Sequence, residues 1–240
     1  MGHRIRGVLF DKDGTLFDFE ATWNVWGAMM LADLAGGDPD RAAALGVRMG
    51  YDLAARRFDP ASPVIAGTPD DIVRLLLPGV PELSNDELVA RLNATAARAP
   101  QAEAVPLSPL LAELRAMGLK LGVATNDAEA PARAHLAGVG HEGSFDFIAG
   151  YDSGFGGKPA PGMCLGFAAA VNLPPEAVLM VGDSTHDLDA GRAAGMRTVA
   201  VLTGMADADT RAPLADHVVP GMGGAPRLLE ALARSVGAEQ

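Results

Sequence analysis

Five short apolar runs, each stopping at polar or glycine residues, set what this chain can fold into. They are "IRGVLFDKD" near the start, then "LKLGVATND" (119–127), "FDFIAGYDS" (145–153), "AVLMVGDST" (177–185) and "RTVAVLTG" (197–204). The apolarity is continuous rather than alternating. Strands that read this way are buried on both faces, as in parallel sheets. Helical segments separate them. Ser108-Pro109 reads as a cap and first-turn proline ahead of Leu111, Leu114 and Met117, and the stripe stops at Gly118. The segment 127–138 starts on an Asp cap and stops on Gly, and 161–172 and 187–195 follow the same habit. Strand–helix alternation of this kind predicts an α/β fold with a doubly wound parallel sheet.

Residues 18–100 break the pattern. Trp23, Trp26, Met30 and Leu34 recur at helical spacing, Thr68-Pro69-Asp70-Asp71 is a capped helix start, and Ser84 with Glu87 forms a capping box. Strand-like runs are scarce, so 18–100 is expected to be an inserted all-helical cap domain. The core is then 1–17 and 101–240, with the Ala- and Pro-rich 98–109 as the return linker. A length of 240 residues suits one α/β core carrying such an insert.

Composition narrows the function. A formal net charge of −11 leaves no basic footprint for phosphate backbones, so no nucleic acid is expected as a partner. No stretch of about 18 apolar residues occurs and the N-terminal apolar run is too short for a signal peptide; no membrane span is expected and the cytoplasm is the default. Cys164 is the single cysteine and reads as a core residue.

In an open α/β sheet, ligands bind outside the carboxyl ends of the strands. The polar residues there are Asp11 and Asp13, Thr125-Asn126-Asp127, Lys158 in "GGKPAPG", and Asp183 and Asp187 in "GDSTHDLD". Aspartates gathered at one edge repel one another unless a cation sits among them, and hard oxygen ligands suit Mg²⁺. Asp11 could then attack phosphorus, and Asp13 could protonate the leaving oxygen and later activate water. The Thr125 hydroxyl, the Asn126 backbone N–H and the Lys158 ammonium would receive phosphoryl oxygens.

"DKDGT", "ATN", "GKPAPG" and "GDSTHD", in this order, resemble the four motifs of the haloacid dehalogenase superfamily, and the helical insert resembles the cap of its phosphoglycolate phosphatase-like branch. The resemblance covers essentially the whole chain. It implies Asp11 as nucleophile and metal ligand, and Asp13 as general acid/base with its main-chain carbonyl on the metal. It implies Thr125 and Asn126 in phosphate binding, Lys158 steadying nucleophile and phosphate, and Asp183 and Asp187 at the metal. Gly14 would bring backbone amides to the phosphate, and the first strand would lie centrally in the sheet. Dehalogenating members carry a non-acidic residue where Asp13 stands, so the resemblance favours oxygen-ester phosphoryl transfer. One departure is Gly162, where relatives often have an acid.

The expected activity is Mg²⁺-dependent hydrolysis of a small phosphorylated metabolite, with phosphoglycolate the first candidate and a monomer or homodimer the expected form. The alternatives are a β-phosphoglucomutase-like sugar-phosphate mutase and a non-catalytic phosphometabolite-binding protein. Other residues read as structural. The stripe of Trp23, Trp26 and Met30 reads as core, Lys12 as pointing to solvent or packing its stem, and Arg48, Arg56 and Arg57 as surface. His186 reads as an exposed turn histidine.

Overall fold

The computed structural model describes residues 4–205, 212–228 and 231; the extreme ends of the expected core lie outside them. Six parallel strands form the main sheet: β1 (Gly7–Phe10), β4 (Lys120–Ala124), β5 (Phe147–Ala149), β6 (Val178–Gly182), β7 (Arg197–Val201) and β8 (His217–Val219). Their order is β5-β4-β1-β6-β7-β8, so the first strand is central, flanked by β4 and β6. The chain winds outward from β1 on one side through β4 and β5, then returns to build β6 to β8 on the other. That reversal opens a crevice at the carboxyl end of β1.

The strands alternate their side chains between two apolar layers. Val8 and Phe10 face a layer with Leu110, Leu111 and Leu114 of α5 (Leu107–Ala116) and Leu136 of α6 (Glu129–Gly138). Leu9 faces the opposite layer, with Met163, Cys164 and Phe167 of α7 (Gly162–Ala170) and Ala190 of α8 (Thr185–Ala193). Burial on both sides is why the strand sequences read as continuous apolar runs. Packing over β4 is tight: a Cβ at Gly122 would lie 2.6 Å from a Phe167 ring carbon.

The insert between β1 and β4 carries α1 (Phe19–Ala35), α2 (Pro39–Met49), α3 (Pro69–Leu76) and α4 (Asn85–Ala96). It has its own apolar cluster, from Phe19 to Ala99. Trp26 stacks on Phe58 and meets Trp23 edge-on at 5.1 Å. The helices are joined by one element the sequence reading lacked, a two-stranded antiparallel ribbon of β2 (Tyr51–Asp52) and β3 (Arg57–Phe58). Two residues per strand leave no periodicity to read. Tyr51 of this ribbon seats where Gly27 leaves space, since a Cβ there would lie 2.7 Å from its ring.

The capping boxes at Thr68 with Asp71 and Ser84 with Glu87 form as their spacing predicts. Three other helix starts differ, and one of them, α8, begins at Thr185 under a Ser184 cap rather than on Asp187. α5 begins at Leu107, where the Glu103 carboxylate accepts from the Leu107 N–H at 2.9 Å; Ser108 lies inside the first turn, beside His141. α6 begins at Glu129, whose N–H is taken by Asp152 across the loop at 2.8 Å, and Asp127 is left for other work. Entry to and exit from the insert run side by side: Asp18 N–H donates to Ala102 O, and Ala104 N–H to Leu16 O. Among the described residues no helix is long and apolar enough to cross a membrane.

Candidate active site

The crevice at the end of β1 collects the polar strand ends. Asp11 follows β1, Thr125 follows β4 and Asp183 follows β6, so three neighbouring strands deliver them to one place. Asp187 joins from the first turn of α8, where its carboxylate also caps the helix through Ser184. One carboxylate oxygen from each of Asp11, Asp183 and Asp187 lies within 4.8 Å of the others, and all three residues are buried.

Lys158 reaches into this group from the loop after β5. Its Nζ lies 2.5 Å from Asp11 Oδ1, 2.5 Å from Asp187 Oδ1 and 2.8 Å from the Ala124 carbonyl. Burial works against its charge, but the two carboxylates outweigh that and hold it firmly as an ammonium. Burial likewise pushes the Asp11 carboxyl well above the usual carboxylate range, against the pull of Lys158 and reinforced by the Asp187 charge. Three carboxylates gather at one ammonium, which makes the group rich in acid. An oxygen-only donor set with that balance fits a divalent cation such as Mg²⁺, with Asp11, Asp183 and Asp187 able to hold it.

Glycines let the loops close over the acids. A Cβ at Gly14, where φ is +79°, would lie 2.4 Å from Asp183 Oδ2, and one at Gly204 would overlap the same carboxylate at 1.6 Å. Thr203 Oγ1 donates to the Gly14 carbonyl at 2.6 Å and fixes that turn. Thr15 Oγ1 donates to Asp183 Oδ1 at 3.4 Å.

Thr125 is buried, and its Oγ1 accepts from the Asp127 N–H, leaving its own proton to donate. The Asn126 side chain is a clamp. Its Oδ1 accepts from Lys158 N–H at 2.7 Å, and its Nδ2 donates to Lys158 O and to Ala66 O of the insert. The Lys158-Pro159 bond is cis. The departure at Gly162 has a steric reason: a Cβ there would lie 1.9 Å from the Phe155 carbonyl, so the loop over α7 excludes any side chain.

Lys12 overturns its sequence-based expectation. It is fully buried, with Nζ 2.9 Å from Asp13 Oδ1, 3.4 Å from Asp127 Oδ2 and 2.9 Å from His135 Nδ1. It also sits 5.4 Å from the Trp23 ring centre, in cation–π range. Desolvation opposes its charge, yet Asp13 and Asp127 raise its pKa above the ordinary lysine value. An ammonium has no lone pair to offer and a carbonyl no proton, so the His135 tautomer is fixed. Nδ1 accepts from Lys12, and Nε2–H donates to Ala96 O at 2.7 Å. Burial, helped by Lys12, lowers the His135 pKa to about 4, and burial pushes Asp127 up to about 6. Ala96 is the last residue of α4, so this chain of contacts runs from Asp13 into the insert.

The site opens into a chamber of about 730 Å³ between the sheet edge and the insert, lined by Asp11, Asp13, Thr125, Lys158 and Asp183 below and by α1, α3 and α4 above. Trp23 and Trp26 are therefore core on one side and chamber wall on the other. His186 lines the chamber as well; the exposed Arg48, Arg56 and Arg57 do not.

The model of the haloacid dehalogenase-like hydrolase family matches residues 5–195. The chain belongs to the haloacid dehalogenase-like hydrolases. Among curated relatives it is 42% identical over 104 residues to the tyrosine-protein kinase PtkA of Mycobacterium tuberculosis, covering 43% of this chain and 35% of that one. It is 37% identical over 95 residues to the phosphoglycolate phosphatase of Rhodospirillum rubrum, covering 40% and 39%. The chain thus spans well under half the length of these relatives. A predicted phosphoglycolate phosphatase from Haemophilus somnus shares the fold, with a TM-score of 0.72 at 18% identity over 94% of this chain and 98% of that one. In this haloacid dehalogenase-like hydrolase, Asp11, Asp13, Thr125, Asn126, Lys158 and Asp183 line one chamber, Asp187 joins through Lys158, and Gly14 lies against Asp183. His135 and Gly204 were missed, because a lone histidine or glycine carries no spacing signal, and Lys12 was read as an exposed or stem-packed lysine.

Two outcomes follow from the Lys12 cluster. Lys12→Met would leave the buried Asp127 and the half-buried Asp13 without their cation and is expected to lower unfolding free energy by about 3–5 kcal/mol, read by urea denaturation. His135 is held neutral in the fold and protonates near its ordinary pKa of 6.5 when unfolded, so its contribution is present above pH 6.5 and is lost as pH falls toward about 4. The stability advantage of the wild type over His135→Gln should therefore shrink by roughly 2 kcal/mol between pH 7 and pH 4.5.

Proposed function

We propose that this protein is a Mg²⁺-dependent phosphatase of small phosphate monoesters, working through an aspartyl-phosphate at Asp11. The observation that carries the reading is the meeting of Asp11, Lys158, Asp183 and Asp187 in one buried group with Asp13 beside the same chamber.

Each residue has a role in this reading. An Asp11 carboxylate oxygen attacks phosphorus as the P–O ester bond breaks. Asp13 gives its proton to the departing alkoxide, then takes one from the water that attacks the aspartyl-phosphate, so inorganic phosphate leaves and Asp11 is regenerated. Lys158 keeps Asp11 aimed and offsets charge on the phosphoryl oxygens, and the Thr125 hydroxyl donates to one of them. Asn126 acts through its clamp on the Lys158 backbone, and Gly14 lets the loop amides approach. Asp11, Asp183 and Asp187, with the Asp13 main-chain carbonyl, would hold the metal ion, which supplies charge neutralisation for an anionic substrate meeting an acidic site. Residues 18–100 serve as a cap that excludes bulk water and selects the alcohol. The setting is the cytoplasm, as a monomer or homodimer.

Phosphoglycolate heads the panel of esters because several relatives carry that name. With Mg²⁺ present, phosphate release is expected from the wild type. It should vanish in Asp11→Asn and fall by about 10²–10⁴-fold in kcat in Asp13→Asn. Wild-type turnover in Asp11→Asn contradicts the nucleophile assignment, and an isomerised sugar phosphate without free phosphate contradicts the hydrolase reading in favour of a mutase.

A further inference from the structure

The chamber above the phosphate site is far larger than a phosphoryl group needs. Its volume of about 730 Å³ falls in the range that holds a drug-sized ligand. Its upper wall is apolar, with Trp23, Ile65, Ile72, Leu75 and Leu92 prominent. The charged groups facing it are unbalanced. Asp11, Asp13, Asp71, Asp127 and Asp183 line it, against Lys158 and Arg74 as the basic residues besides His186. Lys158 is already held by Asp11, Asp187 and a carbonyl. Arg74 pairs with Asp71 and leaves its side chain 73% exposed, at the rim rather than in the wall. Among the described residues, a second anionic group on a substrate would therefore meet no buried lysine or arginine free to pair with it, which is costly. Five polar atoms of chamber-lining residues are buried without a hydrogen-bond partner among the described residues: Asp127 Oδ2, His186 Nδ1 and three on neutral side chains of the insert, Trp23 Nε1, Trp26 Nε1 and Asn93 Oδ1. Neutral hydrogen-bonding groups at an apolar wall suit an uncharged ligand with a few polar atoms.

Building on the phosphatase reading, we infer that the preferred substrates are phosphate monoesters of uncharged, ring-bearing alcohols, and that a carboxylate-bearing ester such as phosphoglycolate is a poor one. The ring packs beneath α1, α3 and α4 while the ester oxygen faces Asp13. The chemistry is unchanged: the alkyl C–O bond stays intact, the P–O bond breaks, and the alcohol leaves with the proton from Asp13.

The test compares ethyl phosphate, 2-phenylethyl phosphate and phosphoglycolate with the full-length wild-type protein and Mg²⁺. Ethyl and 2-phenylethyl phosphate release similar primary alcohols, so their difference reads the chamber rather than the leaving group. Burying the ring should raise kcat/KM for 2-phenylethyl phosphate about 10–100-fold over ethyl phosphate, with phosphoglycolate no better than ethyl phosphate. As a binding readout free of chemistry, 2-phenylethanol should inhibit competitively at concentrations where glycolate does not. Hydrolysis in which ethyl phosphate or phosphoglycolate matches the phenyl ester overturns this inference and leaves the phosphatase reading standing. Phosphate release from none of the esters overturns both.

Discussion

Charge balance at the carboxyl end of β1 governs the rest of this structure. Asp11, Asp183 and Asp187 are buried within reach of one another, and Lys158 pairs with two of them, Asp11 and Asp187. Buried carboxylates that close are strongly unfavourable unless positive charge joins them. The sheet is wound so that they cannot avoid one another, because β1 lies between β4 and β6 and the chain reverses there. The glycines at 14 and 204 complete the enclosure, since any side chain there would collide with Asp183. Three buried acids around one ammonium make an oxygen donor set that fits a divalent cation.

A second buried charge group stands beside the first, and it ties the site to the insert. Lys12 bridges Asp13 and Asp127, and His135 links that lysine to the end of α4. Asn126 makes a parallel tie, from the Lys158 backbone to Ala66. Each tie ends in a hydrogen bond to the backbone of the insert, buried at His135 and part-buried at Asn126. The position of the insert and the geometry of the polar site are consequently linked, and the chamber between them has walls set by both.

Much of this was legible in the residues. The apolar runs gave five of the six strands because burial on both faces leaves an unmistakable signature; β8, three residues ending in a half-buried edge, did not announce itself. The capping boxes at Thr68 and Ser84 were readable since both partners lie within one turn. The starts of α5 and α6 were not, because their first N–H groups are met by Glu103 and Asp152, acceptors the local pattern does not single out. Lys12 was misread for a related reason. Lysine is ordinarily exposed, and its partners Asp127 and His135 lie more than a hundred residues away, brought near only by the pairing of β1 with β4 and the packing of α6. Gly162 was readable as a departure but not as a necessity until the Phe155 carbonyl was seen above it.

The central claim is that the buried acids are arranged around a divalent cation. Thermal unfolding with increasing Mg²⁺ tests it most directly, since a ligand that binds the folded state raises the midpoint by mass action. The account predicts a saturable rise for the wild type that is absent in Asp183→Asn. An equal rise in both proteins, or none in the wild type, would contradict it.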